Sequence, residues 1–352
     1  MNKSILVTGA GGLIGSEAVD YFCKRDFRVT GIDNNQREVF FGSSGSTKGR
    51  LDALKDRYNN FSNLSIDIRN RQAINDLFDG NKFETVIHAA AQPSHDRAAS
   101  IPFDDFETNA VGTLNLLEAL KNSNRDCNFV HLSTNKVYGD APNRLALIES
   151  EQRYDFADDI YKEGIDENFP IDQSTHSLFG ASKLAADILV QEYGRYFDMP
   201  TVVLRGGCLT GENHSAVQLH GFLNYLVKCN ISKSEYTIFG YKGKQVRDNI
   251  HAYDVIQFVD LFCQNPKKAA VYNIGGGRLN SCSILEAIKL IETVTGIPMI
   301  YSYSPTNRVG DHICYYSNLS RIKSDFPNFT FTYSLRETLE RIASQVARQL
   351  NH

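Results

Sequence analysis

The stretch "SILVTGAGGLIG", residues 4–15, constrains this chain more than any other part of it. Its apolar opening reads as a buried strand, and Gly9, Gly12 and Gly15 follow at once, leading into a helical pattern that runs to about Lys24. A strand that turns through glycines into a helix start allows close backbone approach and offers unpaired N–H groups with a positive dipole. That is the arrangement that cradles a pyrophosphate. Glycine is common, so the triplet carries weight only through its place between strand and helix. Leu13 and Ile14 complete the turn. A second strand, "FRVTGID", ends at Asp33 and is followed by Asn34. A carboxylate about twenty residues past such a loop accepts ribose hydroxyls and repels a 2′-phosphate, which favours NAD over NADP.

Further strands are expected at "LSIDI", "TVIHAAA", "NFVHLST" and "TVVLR", with helices near 71–78, 105–121 and 182–197. Short apolar strands alternating with amphipathic helices predict an α/β fold: a Rossmann-type doubly wound parallel sheet. Asp67 and Ile68 would close the third strand beside an adenine. Beyond residue 205, shorter strands, helices and clustered glycines suggest a smaller interleaved C-terminal lobe, 206–352, with about 245–275 returning to the main domain 1–205. The polar insertion between 140 and 177 is expected as a loop system over the sheet's carboxyl edge, where such folds bind ligands.

Composition closes off other classes. A net charge of −4 argues against a nucleic-acid surface. No apolar run approaches the roughly 20 residues that cross a bilayer. Seven scattered cysteines with no Cys-x-x-Cys pair read as reduced core thiols of a cytoplasmic protein. The nine histidines show no zinc spacing, so no metal is expected. Gly206 and Gly207 are read as leaving room beside a ligand.

Taken in order, "TGAGGLIG", "DIRN", "HAAAQ", "NAVGTLNLLEA", "STNKVYGD" and "KQVRDNIHAYD" resemble the extended short-chain dehydrogenase/reductase family, over nearly the whole chain. Within it, "LSTNKVYGD", "GKQVRD" and "YNIGGG" are most similar to the CDP-tyvelose (CDP-paratose 2-) epimerase group. The resemblance implies an NAD-dependent isomerase that oxidises a nucleotide-linked sugar to a keto intermediate and reduces it from the other face. It implies an NAD-binding first domain and a lobe that holds the nucleotide sugar. It places Ala89, Ala90 and Ala91 beside the cofactor, with Asn109 supporting the end of the fifth strand. Ser133 and Thr134 would bond the reacting hydroxyl, and Lys183 the nicotinamide ribose. Gln92, Asn135, Asn213, Arg247 and Arg308 would contact the substrate, the arginines at its diphosphate. It also implies a homodimer built on a four-helix bundle. A 4-epimerase or 4,6-dehydratase is the alternative on the same fold, the dehydratase being weakened because no Asp-Glu pair follows Thr134.

One position departs from the family pattern. In "HSLFGASK" the residue four before Lys183 is Phe179, where Tyr-x-x-x-Lys supplies the phenol that takes the sugar's proton. Three accounts compete: another base substitutes, with His176, Tyr138 or Lys183 as candidates; a tyrosine was exchanged by engineering; or the protein binds NAD and sugar nucleotide without turnover.

Overall fold

The computed structural model describes residues 3–214, 221–307 and 311–350. The chain divides into two compact units, one formed by residues 1–137, 177–205 and 255–272, the other by 138–176, 206–254 and 273–352. The polar insertion thus groups with the second unit, and the stretch returning to the first is 255–272.

The main sheet has seven strands: β1 (Ser4–Thr8), β2 (Arg28–Ile32), β3 (Phe61–Leu64), β4 (Thr85–His88), β5 (Asn128–Thr134), β6 (Thr201–Gly206) and β7 (Ala270–Ile274). Their spatial order is β7-β6-β5-β4-β1-β2-β3. The pairings of β1 with β2 and β4, of β2 with β3, and of β4 with β5 are all parallel. Strand order reverses between β1 and β4, which puts a crevice at their carboxyl ends. Every residue of β1 and β4 is buried, as parallel strands covered on both faces require.

Two expected boundaries move. The third strand is 61–64, not "LSIDI", because its partner β2 ends at Ile32, opposite Leu64. Asp67 and Ile68 therefore lie past the strand, in a turn closed by Asn70 N–H to the Asp67 carbonyl at 2.9 Å. The helix expected over 105–121 is three pieces: Pro102–Phe106, a π turn at Glu107–Val111, and α1 (Gly112–Ser123). At that turn the Thr113 hydroxyl donates to the Asn109 carbonyl at 2.6 Å. The helix over Ser177–Phe197, α2, buries Phe179, Ser182, Lys183, Ala186, Asp187, Val190 and Gln191, a stripe at helical spacing. Two residues of that buried stripe, Lys183 and Asp187, are ionisable.

In the second unit Val246–His251 is flanked by Ser281–Ser283, Cys314–Tyr315 and Cys208–Thr210. Helices Phe222–Ile231, Ile284–Thr295 and Leu335–Leu350 bury Leu226, Ile288, Leu339 and their neighbours in a second core. Ser283 and Glu286 form a reciprocal capping box that starts the middle helix.

Candidate active site

The glycine turn is packed against its own backbone. Gly9 has φ +67°, and a Cβ on it would lie 2.9 Å from the Ala90 Cα. A Cβ on Gly15 would meet the Gly9 carbonyl oxygen at 2.0 Å. No side chain fits there, so the helix start at Leu13, Ile14 and Gly15 approaches the end of β1 as closely as backbone allows. Amides of that first turn have no acceptor within the helix. Ala89 and Ala90 hang from Thr8 on the neighbouring strand: the Thr8 carbonyl accepts from Ala89 N–H, and the Thr8 hydroxyl from Ala90 N–H at 3.0 Å. With Ala91 they are partly exposed.

Asp33 is locked beside this turn. Its Oδ2 accepts from Gly11 N–H at 2.9 Å, and its Oδ1 from Asn35 N–H at 2.8 Å and the Thr47 hydroxyl at 3.0 Å. Three of the roughly four acceptor positions of a carboxylate are thereby used, leaving about one for a ribose hydroxyl. Asn34 caps the next turn through Gln36 N–H. Two arginines that the sequence did not single out adjoin. Burial, reinforced by the Arg37 guanidinium, pushes Arg50 down to about 10, and Arg50 donates to the Gly11 carbonyl. Asp67 is partly buried, which opposes its ionisation, yet its bonds from Arg69 hold its carboxyl below the usual range. These residues fit a dinucleotide: a glycine cradle, a helix start and a fixed carboxylate.

Several expected ligand contacts instead tie the protein to itself. Gln92 is wholly buried, donating to the Ser94 carbonyl and to Asp105 Oδ1 at 2.7 Å while accepting from Ser94 N–H. Asn109 accepts from Gln92 N–H at 2.9 Å and donates to Asp105 and Ser182. Burial raises the Asp105 carboxyl against the bonds it accepts from Ser182 and Gln92. Ser133 donates to Asp187 Oδ2 at 2.8 Å, and Asp187 is held by both arms of Arg205 at 3.0 Å and by Gln191. Gln92 thus acts as a brace, and the Ser133 hydroxyl is turned to Asp187. Thr134 is half-buried, and its hydroxyl accepts from Lys136 N–H; Asn135 beside it is buried.

Lys183 is 3 % exposed. Its ammonium nitrogen lies 2.7 Å from the Leu132 carbonyl and 3.4 Å from His131 Nε2. Burial lowers it to about 8, with Asp187 and Asp105 opposing from a distance. Burial also holds His131 neutral, and its Nδ1 has no hydrogen-bond partner among the described residues. His88, opposite His131 in the β4–β5 register, bonds the Thr8 and Thr113 hydroxyls at 2.7 and 2.8 Å and is pushed down to about 3 by burial and then by Lys183. Phe179 is buried one turn before Lys183.

Within the second unit, Arg247 pairs with Asp311 at 3.2 Å and donates to the Val246 carbonyl. Asn213 is half-buried; Arg308 lies outside the described residues. Gly207 faces the Asp248 carboxylate, 2.5 Å from where a Cβ would sit, so protein packing alone requires a glycine there. His176 Nε2 lies 2.6 Å from the Ile171 carbonyl, and Tyr138 is fully buried with its hydroxyl donating to Asn273 at 2.7 Å. Both candidate substitute bases are structurally engaged. Among the described residues no His, Cys, Asp and Glu cluster could hold a metal, and no helix is long and apolar enough to cross a membrane.

Comparison with known proteins gives a consistent picture. Residues 5–275 match the model of the NAD dependent epimerase/dehydratase family. The CDP-paratose 2-epimerase of Salmonella typhi is 34% identical over 328 residues, covering 90% of this chain and 92% of that protein. A dTDP-glucose 4,6-dehydratase of Haemophilus influenzae is 29% identical, over 94% of this chain and 89% of its own. Among solved structures, a tyrosine-to-phenylalanine variant of Bacillus cereus UDP-glucuronic acid 4-epimerase, in complex with UDP-4-deoxy-4-fluoro-glucuronic acid and NAD, superposes with a TM-score of 0.80. It is 25% identical and covers 98% of this chain and 99% of its own.

Proposed function

Because this chain belongs to the NAD-dependent epimerase/dehydratase family, we propose that it epimerises a nucleotide-linked sugar, at C2 of a CDP-linked or related substrate, through a transient keto sugar. The observation that carries this reading is the similarity to CDP-paratose 2-epimerase, which runs through 90% of the chain. When bound, the nicotinamide supplies the acceptor and then the donor of hydride. The protein's part is to hold and orient. The turn at Gly9, Gly12, Leu13, Ile14 and Gly15 takes the pyrophosphate; Asp33, with Asn34 behind it, takes the adenosine ribose; Ile68 and the Asp67–Arg69 pair border the adenine. Ala89, Ala90 and Ala91 leave the dinucleotide room, and Asn109, through Gln92 and Asp105, stiffens the floor beneath. Thr134 offers its hydroxyl to the reacting sugar oxygen, with Asn135 and Asn213 as further polar contacts. Arg247 exchanges Asp311 for the sugar nucleotide's diphosphate, joined by Arg308.

The test is incubation with NAD and a panel of CDP-, UDP-, GDP- and dTDP-linked sugars, with products read by NMR. A new epimer is the expected result; a 4-epimer or a 4-keto-6-deoxy product would move the assignment within the family. Phe179 favours one second reading, a silent binder, since the Bacillus cereus variant lacking a tyrosine was crystallised with both ligands bound. Retained NAD and nucleotide binding with no product from the whole panel would select it.

We further propose a homodimer through a four-helix bundle of α1 and α2 from each subunit, in the cytoplasm. Exposed Ile188 and Tyr196 on α2, with Phe103 and Phe106 just ahead of α1, support the interface, and seven free cysteines support the compartment. Sedimentation equilibrium showing a monomer at all concentrations would refute the dimer.

A further inference from the structure

Phe179 removes an oxygen, and the structure also commits the two other candidates: Tyr138 to Asn273 and His176 to the Ile171 carbonyl. One nitrogen remains whose surroundings suit a base. We propose that Lys183, aimed by His131, is itself the group that takes the proton of the sugar hydroxyl. The inference rests on the epimerase reading and adds the identity of its base.

A lysine ammonium has three N–H donors and no acceptor. The Leu132 carbonyl accepts from Nζ at 2.7 Å, and His131 Nε2, 3.4 Å away, is a second acceptor when the ring proton sits on Nδ1. In that tautomer, which the proposal requires, the two acceptors satisfy the two N–H groups of a neutral amine and leave its lone pair for a third direction. The nearby carboxylates are spent elsewhere: Asp105 on Gln92, Ser182 and Asn109, and Asp187 on Arg205, Ser133 and Gln191. Neither makes an ion pair with Lys183. His131, buried and neutral with His88 behind it, adds no charge of its own. Among these groups Lys183 is lowered to about 8 by burial, so a substantial fraction is neutral near that pH.

The chemistry balances. The carbon's hydrogen leaves with its electron pair as hydride to the oxidised nicotinamide. The hydroxyl O–H bond breaks, and its proton becomes the third N–H of a Lys183 ammonium. Reduction from the opposite face reverses both transfers, the ammonium returning its proton to oxygen. His131 is a positioning residue, holding the amine without touching the sugar.

The experiment follows reduced nicotinamide in single turnovers of the sugar nucleotide converted in the panel, from pH 6 to 10, roughly two units either side of the amine's value. The wild-type rate is expected to rise through an apparent value near 8. Lys183→Ala should lose about 10²–10⁴-fold in the single-turnover rate measured at saturating NAD. Small primary amines should restore that variant in proportion to their neutral form. His131→Phe should shift the pH limb, which a purely packing role would leave in place. If wild type turns over and Lys183→Ala stays within tenfold, or amines restore nothing, the base is overturned and the epimerase stands. A Phe179→Tyr variant that gains a hundredfold and abolishes the limb overturns it likewise. If no sugar nucleotide in the panel reduces NAD on the wild type, both proposals fall.

Discussion

Lys183 and Asp187 sit one turn apart in the same buried stripe of α2, and the fold treats them in opposite ways. Asp187 receives a guanidinium fork, a hydroxyl and an amide, so its charge is compensated on every side. Lys183 receives a carbonyl and a neutral imidazole. A buried charge surrounded by matched partners is architecture; one left with neutral partners is held ready to change its protonation. Burial alone does not separate the two, since Asp187 is 0 % exposed and Lys183 3 %. The partners do.

Loss of Arg205 is expected to cost the fold most. Arg205→Met leaves Asp187 buried and unpaired, with an expected cost of about 3–5 kcal/mol in urea unfolding; a cost below about 1 kcal/mol would mean that Asp187 is not so compensated. A neutral contact should cost less. Thr113→Val takes one of the two hydroxyls from His88 and should cost about 1–3 kcal/mol by the same measurement.

Acid titration sharpens the contrast from the side of β4 and β5. His88 and His131 are neutral in the fold and titrate near 6.5 when unfolded. Below that pH the unfolded chain binds the extra protons, so stability falls with pH, each imidazole contributing about 1.4 kcal/mol per pH unit. For His88 the loss continues down to about 3. His131→Phe should remove one proton's worth of slope from the curve of melting temperature against pH.

The smallest effect is expected at the lysine. Lys183→Met leaves no charged partner stranded, and its cost should stay within about 1 kcal/mol or turn into a gain. By linkage, wild-type stability rises with pH between about 8 and 10.5, where only the unfolded chain holds that proton; the variant should lose this alkaline rise. An Arg205-sized penalty at Lys183 would erase the distinction between the two residues.

The parts of this molecule legible in sequence are those set by local sterics. Gly9 and Gly15 announce themselves because no other residue fits a turn that tight, and the alternation of strand and helix points to the parallel sheet. The end of β3 is not legible, because it is decided by where β2 stops. Gln92 and Ser133 lie in motifs that suggest ligand contact, but their partners Asp105 and Asp187 are distant in sequence, 13 and 54 residues away. Gly207 is a parallel case: the carboxylate that would meet a side chain there belongs to Asp248, distant in sequence. One signal does lie in the sequence. Lys183 and Asp187 fall four apart on the buried stripe of α2, and two ionisable residues on a buried face demand an explanation.

The widened turn at Glu107–Val111 works as a phase shifter. Each residue of a helix advances about 100° around the axis, so deleting one residue between 107 and 111 would swing Asp105 away from Ser182 and Gln92 while Leu116 and Leu117 stayed seated in the core. The alignment of the carboxylate that anchors this polar knot is therefore written in the length of the segment as much as in its side chains, and a deletion there that spared Asn109 would still turn Asp105 off Ser182 on α2.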